Sequence, residues 1–248
     1  MIRLDQYLVE NDLVDSRTKA QQLIKDSKVT VNSKVITKPS FKVSGEKIEL
    51  DDEYVYVSRA AYKLKNFLPL LPFDVKGMNA LDIGSSTGGF TEVLLLNGAA
   101  CVTSVDVGSS QLHERLRSDA RVRSVENQDI RTFQSDTFFD LITCDVSFIS
   151  LLHILEAIDR LSSKYIILLF KPQFEVGKDV KRDKNGVVTD KKAIAAAQLK
   201  FEDSCTLLGW KKVMMEASSI TGKEGNLEYC YCYEKSSRRD NEVLDAKS

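Results

Sequence analysis

Apolar and polar positions keep two rhythms along this chain. At the amino terminus Ile2, Leu4, Leu8 and Val9 recur near helical spacing, so a short helix is expected. A second helix follows in "DSRTKAQQLIKDSK", with Asp15 or Ser16 as its N-cap and Ala20, Leu23 and Ile24 as its buried stripe. Then "KVTVNSKVITKPSFKVSGEKIEL" alternates as half-buried strands do, with turns at Asn32-Ser33, Pro39-Ser40 and Ser44-Gly45. Two helices and a few strands make a marginal domain over residues 1–50. Residues 51–76 read as a linker and the first helix of a larger domain. From 77 to 235 strand and helix signals alternate. Strands are expected near 79–83, 101–105, 121–125, 139–145, 165–170, 211–217 and 228–234, and helices near 90–97, 110–117, 151–160 and 191–208. That alternation implies right-handed βαβ units, and a run such as "YIILLF" suits a strand covered on both faces. The fold class expected is α/β, a mainly parallel sheet of seven strands behind a small α+β domain. Residues 236–248 read as a polar tail.

Composition narrows the function classes. The 248 residues are 43% apolar and 29% charged, which excludes a disordered chain, and the net charge of −1 means that any nucleic-acid surface is local. Residues 1–50 hold nine Lys and Arg against seven Asp and Glu, a balance that fits a mixed solvated face as well as an RNA surface. The most apolar stretch, Tyr165 to Phe170, is six residues, far short of the roughly 20 of a spanning helix. "MIRLDQYLVEND" carries acids where a secretory signal would be apolar. Five cysteines without paired spacing indicate free thiols and a reducing, cytoplasmic setting. Cys230 and Cys232 alternate as small apolar residues on one strand face. With two histidines and no Cys-x-x-Cys, no metal site is expected.

The chemistry concentrates at "ALDIGSSTGGFTEVLLLNGA", residues 80–99. Asp82 and Gly84 end the first strand of the larger domain, and Gly88-Gly89-Phe90 enters a helix. Glycines let the chain turn sharply and let a ligand approach the backbone. The dinucleotide spacing G-x-G-x-x-G is absent, and no Gly-Lys-Ser/Thr completes a P-loop. Asp106, at the end of the next strand, suits two ribose hydroxyls, and Asp129 after the third suits an adenine amino group. This series resembles the S-adenosylmethionine site of Rossmann-like class I methyltransferases; a bend serving another nucleotide is the alternative. The candidate cofactor residues are Asp82, Gly84, Ser85, Ser86, Thr87, Gly88, Gly89, Phe90, Asp106, Val107, Asp129, Ile130 and Asp145.

A methyl group carried on sulfonium is already activated, so the protein must supply position and a better nucleophile. Asp145, in "TCDVSF", and Lys171, in "LLFKPQF", end two strands at the rim where a ligand belongs. A lysine serves as a base near neutrality only beside a second cation in a partly dry site. Lys63 on a predicted helix is the candidate second cation, and Glu228 a carboxylate to hold the set. Taken singly, these read as a surface lysine, a strand-end cap and an edge-strand charge. Arg59, Phe148 and Phe174 are candidates to flank a target base or ribose, the phenylalanines fitting the core equally well. The basic, glycine-containing stretch 176–192 reads either as an RNA-contacting flap or as a solvated loop.

"RLDQYL", "SRTKAQQLI" and "VTVNSKVITKPSFKV" resemble the RNA-binding module of the S-four type, in which the second helix and following hairpin face structured RNA. By that resemblance Arg3, Arg17, Lys19, Lys25 and Lys34 contact RNA, and Arg59 is added at the entry to the second domain. Ser33 stands where such modules usually carry glycine, which implies a shifted or strained turn. "VSRAAYKL", "LDIGSSTGGFT", "VDVGSSQL", "FDLITCDVSFISL", "LFKPQFE" and "GKEGNLEY" together resemble the TlyA (haemolysin A) family of FtsJ-like ribose methyltransferases. The resemblance implies a Lys63-Asp145-Lys171-Glu228 tetrad, S-adenosylmethionine as cofactor and a cytidine 2′-hydroxyl of ribosomal RNA, free or in a subunit, as target. A cytoplasmic protein without stable membrane association is expected, with a monomer favoured and the oligomeric state left open by the sequence. Shorter members of that family modify the large subunit only, and this chain is short. The competing readings are a membrane-acting haemolysin and a non-catalytic RNA-binding factor of ribosome assembly.

Overall fold

The computed structural model describes residues 1–235 except 12, 15, 51–55 and 223. Two compact units divide between Arg59 and Ala60.

The first unit runs β1 (Ile2–Arg3), α1 (Leu4–Glu10), α2 (Arg17–Lys25), β2 (Val29–Val31), β3 (Lys34–Val35), β4 (Lys42–Val43) and β5 (Ile48–Leu50). Strand β1 pairs antiparallel with β4, and β2 lies between β3 and β5, antiparallel to both. The apolar stripe of α2 meets Leu4 and Leu8 of α1 and Val29, Val31 and Val43 of the strands in one core. Ser16 caps α2, its Oγ accepting from Lys19 N at 3.2 Å; Asp15, the other candidate cap, lies outside the described residues. The hairpin turn keeps its two-residue register, Val31 opposite Lys34, with φ of 48° at Asn32 and 63° at Ser33. A serine there bears left-handed strain that glycine would avoid. The Asn32 side chain secures the turn, its Oδ1 accepting from Lys47 N at 2.9 Å.

The second unit opens with α3 (Ala61–Phe67) and proceeds through β6 (Asn79–Ile83), α4 (Gly89–Leu96), β7 (Cys101–Val105), α5 (Glu114–Arg117), β8 (Val122–Val125) and β9 (Phe139–Cys144). It ends with α6 (Leu155–Leu161), β10 (Ser162–Phe170), α7 (Pro172–Glu175), α8 (Lys191–Leu207), β11 (Trp210–Ala217) and β12 (Tyr229–Lys235). One seven-stranded sheet results, in the order β11-β12-β10-β9-β6-β7-β8, and β12 alone runs opposite to the other six strands. After β6 the chain adds β7 and β8 on one side and then returns to place β9 on the other. The carboxyl ends of β6 and β9 are thus the switch point where open α/β sheets take ligands. Leu81, Ile142, Ile166 and Leu168 are fully buried in the sheet, as the short apolar runs require.

Two helices differ from the periodic reading. Of 110–117 only α5 is helical, because Ser110 turns left-handed at φ 54° and the amides of Ser110, Gln111 and Leu112 point to the Glu126 carboxylate. The expected helix at 151–160 is a 3-10 turn over Leu151–His153, a break at Ile154 and then α6. Pro172 at the first position of α7 starts an unforeseen short helix directly after Lys171. Cys230 and Cys232 are buried side by side in the core, and burial pushes both thiols up to about 12.

Candidate active site

Four elements of the second unit converge on one carboxylate. Asp145 follows the last residue of β9, Lys171 follows β10, Lys63 projects from α3, and Glu228 directly precedes β12. Lys171 Nζ lies 2.5 Å from Asp145 Oδ1, and Lys63 Nζ lies 3.7 Å from Asp145 Oδ2. Lys63 also donates to Glu228 Oε2 at 2.7 Å. Two ammoniums and two carboxylates therefore balance in a site where Lys63, Lys171 and Glu228 are each under 10% exposed. Buried charge is tolerable only when paired in this way. Three side chains orient the set: Ser147 Oγ lies 3.0 Å from Lys171 Nζ, Gln173 Nε2 donates to Glu228 Oε1 at 3.1 Å, and the Phe174 ring lies under Lys171 Nζ. Glu175 ties the two strand-end segments together, accepting from Ser150 Oγ at 2.6 Å and Leu151 N at 2.9 Å. Its burial pushes that carboxyl up.

Beside the tetrad opens a cavity of about 510 Å³, within the ordinary range for small-molecule sites. Asp145, Ser147 and Phe148 stand where it meets the four charged groups. Its walls are aliphatic (Ile83, Val105, Val107, Ile130 and Val146), and its polar groups come from Asp106, Gln111, Gln128, Asp129 and Arg131. A flat base fits between such walls and a ribose against Asp106, so the donor set suits a nucleoside carrying a sulfonium. Gly84 lets two strand ends approach here: at φ 74° a Cβ there would stand 2.9 Å from the Asp145 carbonyl oxygen. Only glycine lets the ends of β6 and β9 meet at the cavity floor. Asp106 is pre-set by its own loop, its carboxylate accepting from Ser86 N at 2.8 Å and Gly108 N at 2.7 Å.

The cofactor candidates divide into two groups. Gly84, Ser86, Asp106, Val107, Asp129, Ile130 and Asp145 line the cavity. Asp82, Ser85, Thr87, Gly88, Gly89 and Phe90 do not; they form the frame beneath. Asp82 is wholly buried, accepting from Thr91 N, Thr91 Oγ1 and Thr143 Oγ1, and so staples α4 to β9. Burial pushes its carboxyl up to about 6. Gly88 turns left-handed against the Leu112 and Leu116 side chains, where a Cβ has no room. Asp129 lines the cavity with its carboxylate already paired. Arg131 hydrogen-bonds it at 2.5 Å and holds its carboxyl below the usual range. Phe148, for which a core place fitted equally, is 92% exposed with φ 65°, its ring 5.2 Å from that of half-buried Phe174.

On the first unit, two expected RNA contacts are already engaged. Arg3 and Arg17 both bind the buried Asp5 carboxylate, at 2.9 and 3.1 Å. Lys25 and Lys34 are exposed, Lys19 half-buried, and Arg59 exposed at the end of that unit. Ser147, Gln173, Glu175, Glu126 and Arg131 escaped the sequence reading. The first three sit inside quoted motifs within four residues of Asp145 or Lys171, and that proximity was the available signal.

A seven-stranded sheet reversing at β6, a glycine bend at the switch point and a buried Lys-Asp-Lys-Glu set define a Rossmann-like class I methyltransferase. Residues 56–235 match the FtsJ-like methyltransferase family, and residues 2–48 match the S4 domain. The chain is 49% identical to the 23S rRNA (cytidine-2′-O)-methyltransferase TlyA of Campylobacter jejuni, over 92% of this chain and 98% of that protein. It is 40% identical to the 16S/23S rRNA (cytidine-2′-O)-methyltransferase TlyA of Mycobacterium tuberculosis, over 92% and 87%. A solved structure from Streptococcus thermophilus, described as a hemolysin, superposes with a TM-score of 0.72 at 33% identity, covering 94% of this chain and 88% of that one. The chain belongs to the TlyA family of FtsJ-like methyltransferases, and it is an enzyme.

Proposed function

We propose that this enzyme methylates a cytidine 2′-hydroxyl of ribosomal RNA, with Lys171 as general base and S-adenosylmethionine as donor. One arrangement carries the reading: a buried lysine paired to a strand-end carboxylate that lines a cavity suited to a nucleoside. The bound donor supplies a methyl group already activated on sulfonium and departs as the neutral thioether. Asp145 holds Lys171 Nζ, with Ser147 Oγ as its second partner, and both of those partners line the cavity. Once its ammonium proton has passed to solvent, the neutral Lys171 amine takes the hydroxyl proton as the ribose oxygen forms its bond to the methyl carbon and the methyl–sulfur bond breaks. Lys63, itself held by Glu228, keeps Asp145 in place when Lys171 changes charge. Phe148 and Phe174 offer aromatic faces to the target base beside that oxygen, and residues 1–50, with Arg59, dock the RNA. The greater identity to the Campylobacter protein, named for 23S rRNA alone, favours large-subunit RNA as the target. The name hemolysin also occurs among relatives, as in Hemolysin A of Brachyspira hyodysenteriae, 37% identical. Among the described residues no helix is long and apolar enough to cross a membrane.

The test is methyl incorporation from labelled donor into undermethylated ribosomal subunits, followed by mapping of the modified ribose. Lys171→Ala is expected to keep donor binding while transfer falls by roughly 10²–10⁴, the usual span for loss of a general base. Full activity in that variant, or a label on a base nitrogen or carbon, removes the proposed chemistry.

A further inference from the structure

We propose that the segment from Lys178 to Lys192 is a second RNA-docking surface, one that grips the phosphate backbone beside the methylated nucleotide. The inference rests on the RNA-methyltransferase reading above and adds a place of contact that the tetrad and the first unit do not provide. Its first support is order. Between α7 and α8 the chain folds on itself, with Arg182 bridged to Val188 and Asp183 accepting from the Asn185 and Val187 amides at 2.8 and 2.9 Å. The Arg182 guanidinium turns inward and donates to the carbonyls of Gln173, Lys178 and Val180. Arg182 therefore holds the loop together, and the exposed cations are Lys178, Lys181 and Lys184.

The second support is place. The loop is pinned on both sides of the tetrad. Arg182 Nη2 reaches Gln173 O at 3.3 Å, and Gln173 Nε2 in turn holds Glu228 Oε1. On the other side Val188 N donates at 3.0 Å to Oδ1 of the buried Asn226, two residues before Glu228. A phosphate gripped on this loop is thus coupled through two short paths to the group that fixes Lys63.

The third support is charge that the fold does not want. Lys191 and Lys192 are exposed in the first turn of α8, which contains no acid. A helix N-terminus carries partial positive charge, so lysines there oppose the macrodipole. Two of the segment's three acids are occupied by backbone amides, Asp183 in the loop and Asp190 as the cap of α8, accepting from Lys192 N and Ala193 N at 3.0 Å. Local stability would place acids in that turn. An anionic backbone lying across the segment explains lysines instead.

The experiment uses the full chain, an undermethylated ribosomal RNA transcript and S-adenosylmethionine as separate probes, with binding measured across a salt series. The triple change Lys178→Gln, Lys181→Gln, Lys184→Gln is expected to weaken RNA binding about tenfold near 0.1 M salt. It should also flatten the log–log salt slope by about 2 to 3, at about 0.7–0.9 for each phosphate that is no longer neutralised. Donor affinity should be unchanged, and the Lys→Arg triple should restore RNA binding. Lys191→Glu with Lys192→Glu should raise the melting temperature, since the dipole then favours the turn, yet still weaken RNA binding; a folding defect cannot give that pair of results. Unchanged affinity and slope in both variants, with wild-type protein binding the transcript, overturns this inference and leaves the methyltransferase reading standing. If wild-type protein binds the donor but no ribosomal RNA at any salt, both fall.

Discussion

Lys171 and Lys63 share the carboxylate of Asp145, one at each oxygen, although they lie on elements more than a hundred residues apart. Neither lysine is placed by its neighbours in sequence. The end of β10 brings one and the face of α3 the other, and Glu228 closes the set from the start of β12. The base proposed for the reaction is thus positioned by the sheet order itself, so changes far along the chain can move it.

The donor side has a comparable organiser in Glu126. Its carboxylate accepts from the amides of Ser110, Gln111 and Leu112 and from Arg117, and backbone donors lower its affinity for a proton. That grip sets Gln111 on the cavity wall and Leu112 against Gly88. Glu126→Ala frees the loop and should weaken S-adenosylmethionine binding about tenfold, or about 1.4 kcal/mol. Glu126→Gln, which keeps one acceptor oxygen, should fall between. Calorimetric titration of donor into the full chain reads this directly; equal affinities in all three proteins would show that the loop holds its shape without Glu126.

Asp82 makes a pH prediction. Its carboxyl is raised to about 6 in the fold, chiefly by burial, against about 3.9 in an unfolded chain. An acid whose folded value is raised stabilises fully below the unfolded value, and that contribution disappears as pH rises through the folded one. Between pH about 4 and about 6 the native state therefore loses on the order of 3 kcal/mol from this group. Asp82→Asn cannot titrate, so its unfolding free energy should vary less across that window than that of the parent. Denaturant unfolding at pH 4, 5, 6 and 7 gives both curves. Parallel curves would mean that Asp82 is ionised throughout, held by its three hydrogen bonds.

Much of this fold could be read from the chain, for a physical reason. Strands buried on both faces carry unbroken apolar runs, so "YIILLF" and "ALDI" announce themselves, and candidate site residues directly after strands are placed along with them. Asp145 and Lys171 were legible on those terms. Partners distant in sequence were not. Nothing near Ser110 shows that Glu126 will capture its amide, so a helix was expected where a left-handed turn stands. Asp82 sits in the glycine motif yet faces inward to Thr91 and Thr143, because a motif gives a residue's neighbourhood and not the direction of its side chain. Nor does the sequence show that Arg3 and Arg17 share the buried carboxylate of Asp5.

Phe148 separates function from stability most cleanly. Its ring is 92% exposed, so it contributes little burial, and its φ of 65° is one that a bulky side chain adopts only under strain. Strain of this kind costs on the order of 1–3 kcal/mol and collects at functional sites. Phe148→Gly removes the ring and accepts the same backbone angle freely, although its looser unfolded chain returns part of the gain. The melting temperature should therefore hold or rise. Methyl transfer should behave oppositely: loss of one stacking face for a base is worth about 1–3 kcal/mol, or roughly 5- to 150-fold in kcat/KM for RNA. Phe148→Trp should retain most of the activity, because a larger aromatic face serves the same contact. Thermal melts and steady-state kinetics on the three proteins decide the matter. A glycine variant that melts early and methylates normally would show that the Phe148 ring supports the fold and has no part in holding the base.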